Sequence, residues 1–304
     1  MIISITGGLG NQLFQLYAGI FYGQGKVRLS TKFGNPRMTN GIPDIMHFSL
    51  PKGVEILEER SRDKLAQKIG GFALRRNLIP STFDSNLITR KVIDISMKAY
   101  FSTKLRERVS IFSAHEVGLN DKRPGINDLV FGYFQSTLYW ESVKDLESGL
   151  TLKNYSDRFL EFRNHAEKER PLVVHVRLGD YVQEEHFGLL SREYYLRGLN
   201  HLNSHSSKKQ IWLFSDEPEK AKSFLKTEIK DNLFLVPKAG LTPAETLELM
   251  RYGSGYVIAN SSFSWWGASL SYNHDSKVVA PSKWFAGMSD PQAILPENWI
   301  REDR

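Results

Sequence analysis

The chain has 304 residues, 41% hydrophobic and 24% charged, with a mean hydropathy of −0.36. That is the size of about two domains of roughly 150 residues each. Such a composition excludes disordered, collagen-like and coiled-coil classes. The absence of cysteine excludes disulfides, cysteine-ligated zinc, iron–sulfur clusters and a thiol nucleophile.

Forty Lys and Arg against thirty-four Asp and Glu leave a net charge of +6 and a pI of about 9.2. This balance suits an anionic small ligand, an anionic membrane surface or nucleic acid, and does not choose among them. No apolar run reaches the roughly 18 residues of a membrane span. Residues 2–6 read as a first strand without a basic leader, so the chain is expected to begin as a folded domain and stay in the cytoplasm.

Gly7-Gly8-Leu9-Gly10 then turns into a helix, where Leu13, Phe14, Leu16, Tyr17 and Ile20 recur at helical spacing. A glycine-rich strand-to-helix turn can aim backbone N–H groups at an anion. The stretch 58–77 sets Arg60, Arg62, Lys64, Lys68, Arg75 and Arg76 around Leu65, Ile69, Phe72 and Leu74, with Gly70-Gly71 as a break. It reads as a basic amphipathic helix, either a solvated face or a peripheral contact with the inner membrane. The segment 146–170 is polar and reads as the connection between two domains. They are expected at 1–150 and 151–304, with roughly the last 20 residues packing back on the first.

After Pro171, strands at 172–176, 210–215, 232–236, 256–259 and 277–280 alternate with helices at 192–201, 218–226 and 243–252. The last helix opens with Thr242, Pro243 and Glu245, a capping box with proline at the first helical position. This alternation predicts an α/β fold with a parallel sheet, which binds ligands beyond the carboxyl ends of its strands.

Three segments at those ends carry chemistry. In His175-Val-Arg177-Leu-Gly-Asp180-Tyr181, period two puts His175 and Arg177 on one face, and an arginine fork suits a diphosphate. The alternative is an Arg–Asp ion pair beside a core histidine. Asp216, after Phe214-Ser215, is placed to read a base edge or sugar hydroxyl, or to cap the next helix. In Ala259-Asn-Ser-Ser-Phe-Ser-Trp-Trp-Gly267, short polar residues precede a helix whose positive end faces the loop. The paired tryptophans there suit core packing equally well.

These motifs resemble those of α-1,2-fucosyltransferases of glycosyltransferase family 11. Gly7-Gly-Leu-Gly-Asn-Gln-Leu-Phe-Gln15, Gly132-Tyr-Phe-Gln-Ser136, His175-Val-Arg-Leu-Gly-Asp-Tyr181, Phe214-Ser-Asp216 and Asn260-Ser-Ser-Phe-Ser-Trp-Trp-Gly-Ala268 stand in the family's order. One departure is Leu178, where the family usually has a second arginine. The resemblance implies a GT-B architecture of two Rossmann-like domains with parallel sheets facing an interdomain cleft. It implies inverting, metal-independent transfer from GDP-β-L-fucose to the 2-hydroxyl of a terminal galactose, with no cofactor. Donor contacts are then expected from Asn11, Gln12, His175, Arg177, Tyr181, Ser215, Asp216, Asn260, Ser261, Ser262, Phe263 and Ser264. Gln135, Trp265 and Trp266 are expected on the acceptor side or cleft. Arg177 is expected to stabilise the leaving group, with a carboxylate among Asp180, Glu184 and Glu185 as base. The expected partners are GDP-fucose and a galactose-terminated glycan, free or lipid-linked, in a bacterial cytoplasmic enzyme that binds no nucleic acid. A related enzyme with another linkage or GDP-sugar, and a non-catalytic glycan- or nucleic-acid-binding protein, are the alternatives.

Overall fold

A computed structural model describes residues 1–31, 34–57, 95, 111–113, 117–120, 122–144, 150–179, 187–203, 209–225 and 232–304. The basic stretch 58–77 lies outside the described residues. The chain divides into two compact units, Met1–Thr151 with Pro291–Ile294, and Leu152–Asp290 with Leu295–Arg304. No helix among the described residues is long and apolar enough to cross a membrane.

The first unit contains β1 (Ile2–Ser4), α1 (Leu9–Tyr22), β2 (Val27–Ser30), β3 (Met38–Thr39), β4 (Ile42–Pro43), β5 (Phe48–Ser49), β6 (Val54–Ile56), β7 (Ile111–Ser113), β8 (Leu129–Phe131) and α2 (Thr137–Glu141). Its five-stranded parallel sheet has the order β6-β2-β1-β8-β7. The chain builds outward from β1 through β2 and β6, then fills the other side. The order therefore reverses between β1 and β8, the place where an open α/β sheet leaves a crevice. Helix α1 buries Leu13, Phe14, Leu16, Tyr17 and Ile20, the positions its spacing predicts. Each such side chain contributes about 1.5–3 kcal/mol on leaving water.

A short strand, β9 (Thr151–Leu152), marks the division. The second unit then follows with α3 (Asp157–Glu169), β10 (Leu172–Val176), α4 (Arg192–Asn203), β11 (Ile211–Ser215), α5 (Pro218–Leu225), β12 (Leu233–Leu235), α6 (Pro243–Met250), β13 (Gly255–Val257), α7 (Ser262–Ser269), β14 (Lys277–Pro281) and β15 (Ile300–Glu302). The six-stranded sheet is parallel throughout, in the order β12-β11-β10-β13-β14-β15. Here the reversal falls between β10 and β13. Strand β10 is buried along its whole length, as its unbroken apolar run requires of a strand covered on both faces. Leu172, Val174 and Val176 join Tyr194, Tyr195 and Leu199 of α4 in one cluster. On the other face Trp212 packs against Phe234 at 4.8 Å and His165 of α3 at 5.2 Å between ring centroids.

Helix α3 corrects the reading of 146–170 as a connection. Ser156 caps it by accepting from the Phe159 N–H at 3.1 Å. Its sequence is polar because it buries only a narrow stripe, Phe159 and Ala166 among it, and leaves most of its surface to water.

Candidate active site

In the second unit the sheet reversal brings three sequence motifs to one edge. Arg177 follows β10, Asp216 follows β11, and the loop 260–264 follows β13. Arg177 Nε lies 3.4 Å from Asp216 Oδ2, with the two side chains 19% and 14% exposed. At that depth the pair is screened less than a surface pair. Asp216 Oδ1 accepts from the Leu178 N–H at 3.0 Å. Burial pushes the Asp216 carboxyl up, but the Leu178 N–H and the Arg177 guanidinium outweigh it and hold the group below its ordinary value. The Asp216 carboxylate thus bonds to the arginine turn and stays partly exposed at the carboxyl edge of the sheet.

Gly179 makes that approach possible. A Cβ on Gly179 would collide with Asp216 Oδ2, closer than a Cβ stands to a neighbouring oxygen. Leu178 packs against the apolar cluster beneath α4. Ser215 Oγ accepts from the Glu217 N–H at 3.0 Å and fixes the turn out of β11.

His175 is only 4% exposed, and among the described residues its Nδ1 has no hydrogen-bond partner. Burial, reinforced by the Arg177 charge and partly opposed by Asp216, pushes the imidazole down to about 3. The ring is neutral at physiological pH and faces Phe263 at 6.1 Å between centroids. In that state it offers a neutral polar edge.

The 260–264 loop divides into supports and rim. Asn260, 2% exposed, donates its amide to Phe187 O at 2.8 Å and Trp284 O at 3.1 Å. Ser264 is fully buried and donates to Ser261 O at 3.3 Å. Both hold the loop in shape. Ser261 caps α7 by accepting from the Phe263 N–H. Ser262 and Phe263 are half-buried at the surface of the loop. Trp265 and Trp266 are fully buried and meet edge to face at 4.8 Å, and Trp265 also meets Trp299 at 5.7 Å. They are core of the second unit, the packing role that the sequence reading held open beside the acceptor side.

The first unit has its own cluster at the reversal between β1 and β8. Gly7 adopts a φ of 75° and accepts from the Arg37 N–H at 2.7 Å. Asn11 Oδ1 accepts from Gln135 Nε2 at 2.8 Å, joining the first turn of α1 to the loop that follows β8. Gln12 is fully buried. It donates to Gly7 O at 2.9 Å and Arg37 O at 3.1 Å, and accepts from the Ile45 N–H at 2.9 Å. These bonds hold the turn after β1 in place. Gln15, fully buried, likewise donates to Gly132 O and accepts from the Thr6 N–H, each at 2.9 Å. The segment Pro291–Ile294 completes the cluster, with Ala293 O accepting from the Thr137 N–H at 2.7 Å.

Three features escape the sequence reading. Asp44, fully buried, accepts from Thr39 Oγ1 at 2.7 Å and leaves Oδ2 unpartnered; burial raises its carboxyl pKa. Arg304 donates to four main-chain carbonyls, those of Lys283, Trp284, Phe187 and Gly188, at 2.7–3.1 Å. Lys238, after β12, donates to Asp216 O at 3.1 Å. Only Lys238 has a legible signal, since it follows a strand by three residues. Asp180, Tyr181, Glu184 and Glu185 lie outside the described residues. Among the described residues no group of three or more His, Asp or Glu is placed to hold a metal ion.

The family model described as Glycosyl transferase family 11 matches residues 87–303. The chain is similar to the O-antigen biosynthesis glycosyltransferase WbnK of Escherichia coli, 29% identical over 184 residues, with 56% of this chain and 59% of that protein covered. It thus spans less than two thirds of that relative. It is also similar to an Alpha-1,2-colitosyltransferase of Escherichia coli, 26% identical over 326 residues, with 100% of this chain and 99% of that protein covered. Among solved structures it is similar to fucosyltransferase NodZ from Bradyrhizobium, 13% identical with a TM-score of 0.47, covering 89% of this chain and 93% of that one.

Proposed function

Because the chain belongs to glycosyl transferase family 11, we propose that it moves L-fucose from GDP-β-L-fucose to the 2-hydroxyl of a terminal galactose on a cell-surface glycan. The observation that carries this reading is the Arg177–Asp216 pair at the sheet reversal of the second unit, beside the start of α7. In the reaction, the bond from fucose C1 to the β-phosphate oxygen breaks and its electron pair leaves with GDP. The galactose O2 bonds to C1 from the opposite face and gives up its proton, so a β-linked donor yields an α-linked product. Charge grows on the departing phosphate, and a guanidinium already held in place stabilises it more in the transition state than in the ground state. Asp216 holds Arg177 in that orientation. The amino end of α7, at Ser262 and Phe263, adds a positive field.

In this reading a carboxylate in the segment after Arg177, Asp180 or Glu185, takes the acceptor proton. The positive charge that a metal would bring comes from the protein itself, so no cofactor or metal takes part. Transfer of another deoxyhexose is a second reading, favoured by the full-length similarity to an Alpha-1,2-colitosyltransferase.

The test is a product assay with GDP-fucose, GDP-colitose and a panel of galactose-terminated oligosaccharides. GDP release with fucose on galactose O2 is the expected result. A different linkage, or turnover with GDP-colitose alone, overturns the first reading. EDTA is expected to leave the rate unchanged; loss of activity restored by Mn²⁺ or Mg²⁺ removes the metal-free mechanism.

A further inference from the structure

Charge at the carboxyl edge of the second sheet does not balance for an anionic ligand with Arg177 alone. The Asp216 carboxylate is already engaged, with Oδ1 on the Leu178 N–H and Oδ2 facing Arg177. That pair sums to zero, and a nucleoside diphosphate brings more than one negative charge. Lys238 lies on the loop after β12, the strand beside β11, and its Nζ donates to the main-chain oxygen of Asp216 at 3.1 Å. The two cations thus bracket a single residue. Standard bond lengths put Lys238 Nζ and Arg177 Nε no more than roughly 11 Å apart.

Lys238 differs from its neighbour Lys220, which pairs with Glu217 at 3.5 Å. Among the described residues, the partner of Lys238 is a neutral carbonyl and no carboxylate. An exposed bond of that kind contributes little and exchanges readily. Ala239 and Gly240 beyond it are small and exposed, so the approach to the ammonium is open.

We propose that Lys238 is an anion-binding residue of the donor site, whose ammonium leaves the Asp216 carbonyl and takes the diphosphate of a nucleoside diphosphate sugar beside Arg177. This rests on the GDP-sugar reading above. A flexible four-carbon stem carrying a point charge suits a ligand that arrives and departs, whereas the planar fork of Arg177 suits the fixed position.

The test is calorimetric titration of GDP and of guanosine onto the full chain, as wild type, Lys238→Ala, Lys238→Arg and Lys209→Ala. Lys209 serves as the control because it precedes β11, at the opposite end of the sheet, where it donates to Ser254 Oγ at 3.0 Å. Lys238→Ala is expected to weaken GDP binding about tenfold at low salt, with the gap closing as salt rises. Guanosine affinity should stay as in wild type, Lys238→Arg should restore most of the loss, and Lys209→Ala should show none. GDP affinity and salt dependence equal to wild type in Lys238→Ala overturn the assignment, as does an equal loss with guanosine. If the wild-type protein binds no GDP, the GDP-sugar reading fails on its own. Inorganic pyrophosphate then decides the lysine: binding that depends on Lys238 keeps the assignment, and no such binding ends it.

Discussion

Arg177 and Asp216 share one task, since the carboxylate that pairs with the guanidinium also accepts from the main chain next to it. Arg177→Ala should lower kcat by about two to four orders of magnitude, the range seen on loss of a preorganised donor. Lysine should recover little, because it cannot reproduce the fork. Steady-state kinetics with saturating GDP-fucose check this, and near-normal turnover in Arg177→Ala removes the residue from the mechanism. The arginine was legible because strand period and motif order are local. The bonds that Gln12, Gln15 and Asn260 make were not legible because their amides act across the fold. Gln12 reaches Arg37, Gln15 reaches Gly132, and Asn260 reaches Phe187 and Trp284. An amide looks the same in sequence whether it faces a ligand or a distant carbonyl.

Between elements, the approach of the Asp216 side chain to the turn after β10 depends on one missing methyl group. Gly179→Ala would bring Cβ into collision with Asp216 Oδ2 and force the carboxylate off Arg177. A roughly tenfold or greater loss of kcat is expected, since small misplacements of a catalytic group cost that much or more. The melting temperature should move little, because the contact lies at the sheet edge. By contrast, Gly8 has nothing within 4 Å of a Cβ, so Gly8→Ala should fold normally and report only on ligand contact at that turn. Equal kinetics for wild type and Gly179→Ala would show that the pair tolerates displacement. The strands and the capping box of α6 were legible at this scale, because apolar runs and capping residues act within a few positions. Helix α3 was not, because its buried stripe is narrow.

At the scale of the molecule, acid acts unequally on the two units. His175 is held down to about 3 from an unfolded value near 6.5, so its contribution is present above that value and lost as pH falls from there towards 3. Asp216, Glu245 and Glu302 are also depressed and belong to the same unit; their contributions are lost as pH falls through their lowered folded values. For Glu245, burial is outweighed by bonds from Thr242 and Ser156, and for Glu302 the bond from Arg197 leads. Asp44 in the first unit is raised, so its contribution is present in acid and lost as pH rises through its folded value. Acidification from neutral pH should therefore loosen the second unit first. Trp212, Trp265, Trp266, Trp284 and Trp299 lie in that unit and only Trp140 in the other, so tryptophan emission should shift before hydrogen exchange rises in β1 and β8. Simultaneous loss in both units would contradict this.

The four residues Pro291–Ile294 set a timetable for biosynthesis. The Thr137 N–H and the Ser136 hydroxyl find their acceptor in Ala293, and Gly118 lies against Pro291. A ribosome releases the chain from its amino end, so the first unit is translated long before its closing piece exists. A nascent chain that stops at Thr151 leaves those donors open and that wall missing. Final closure of the first unit therefore waits until nearly all of the second has been made.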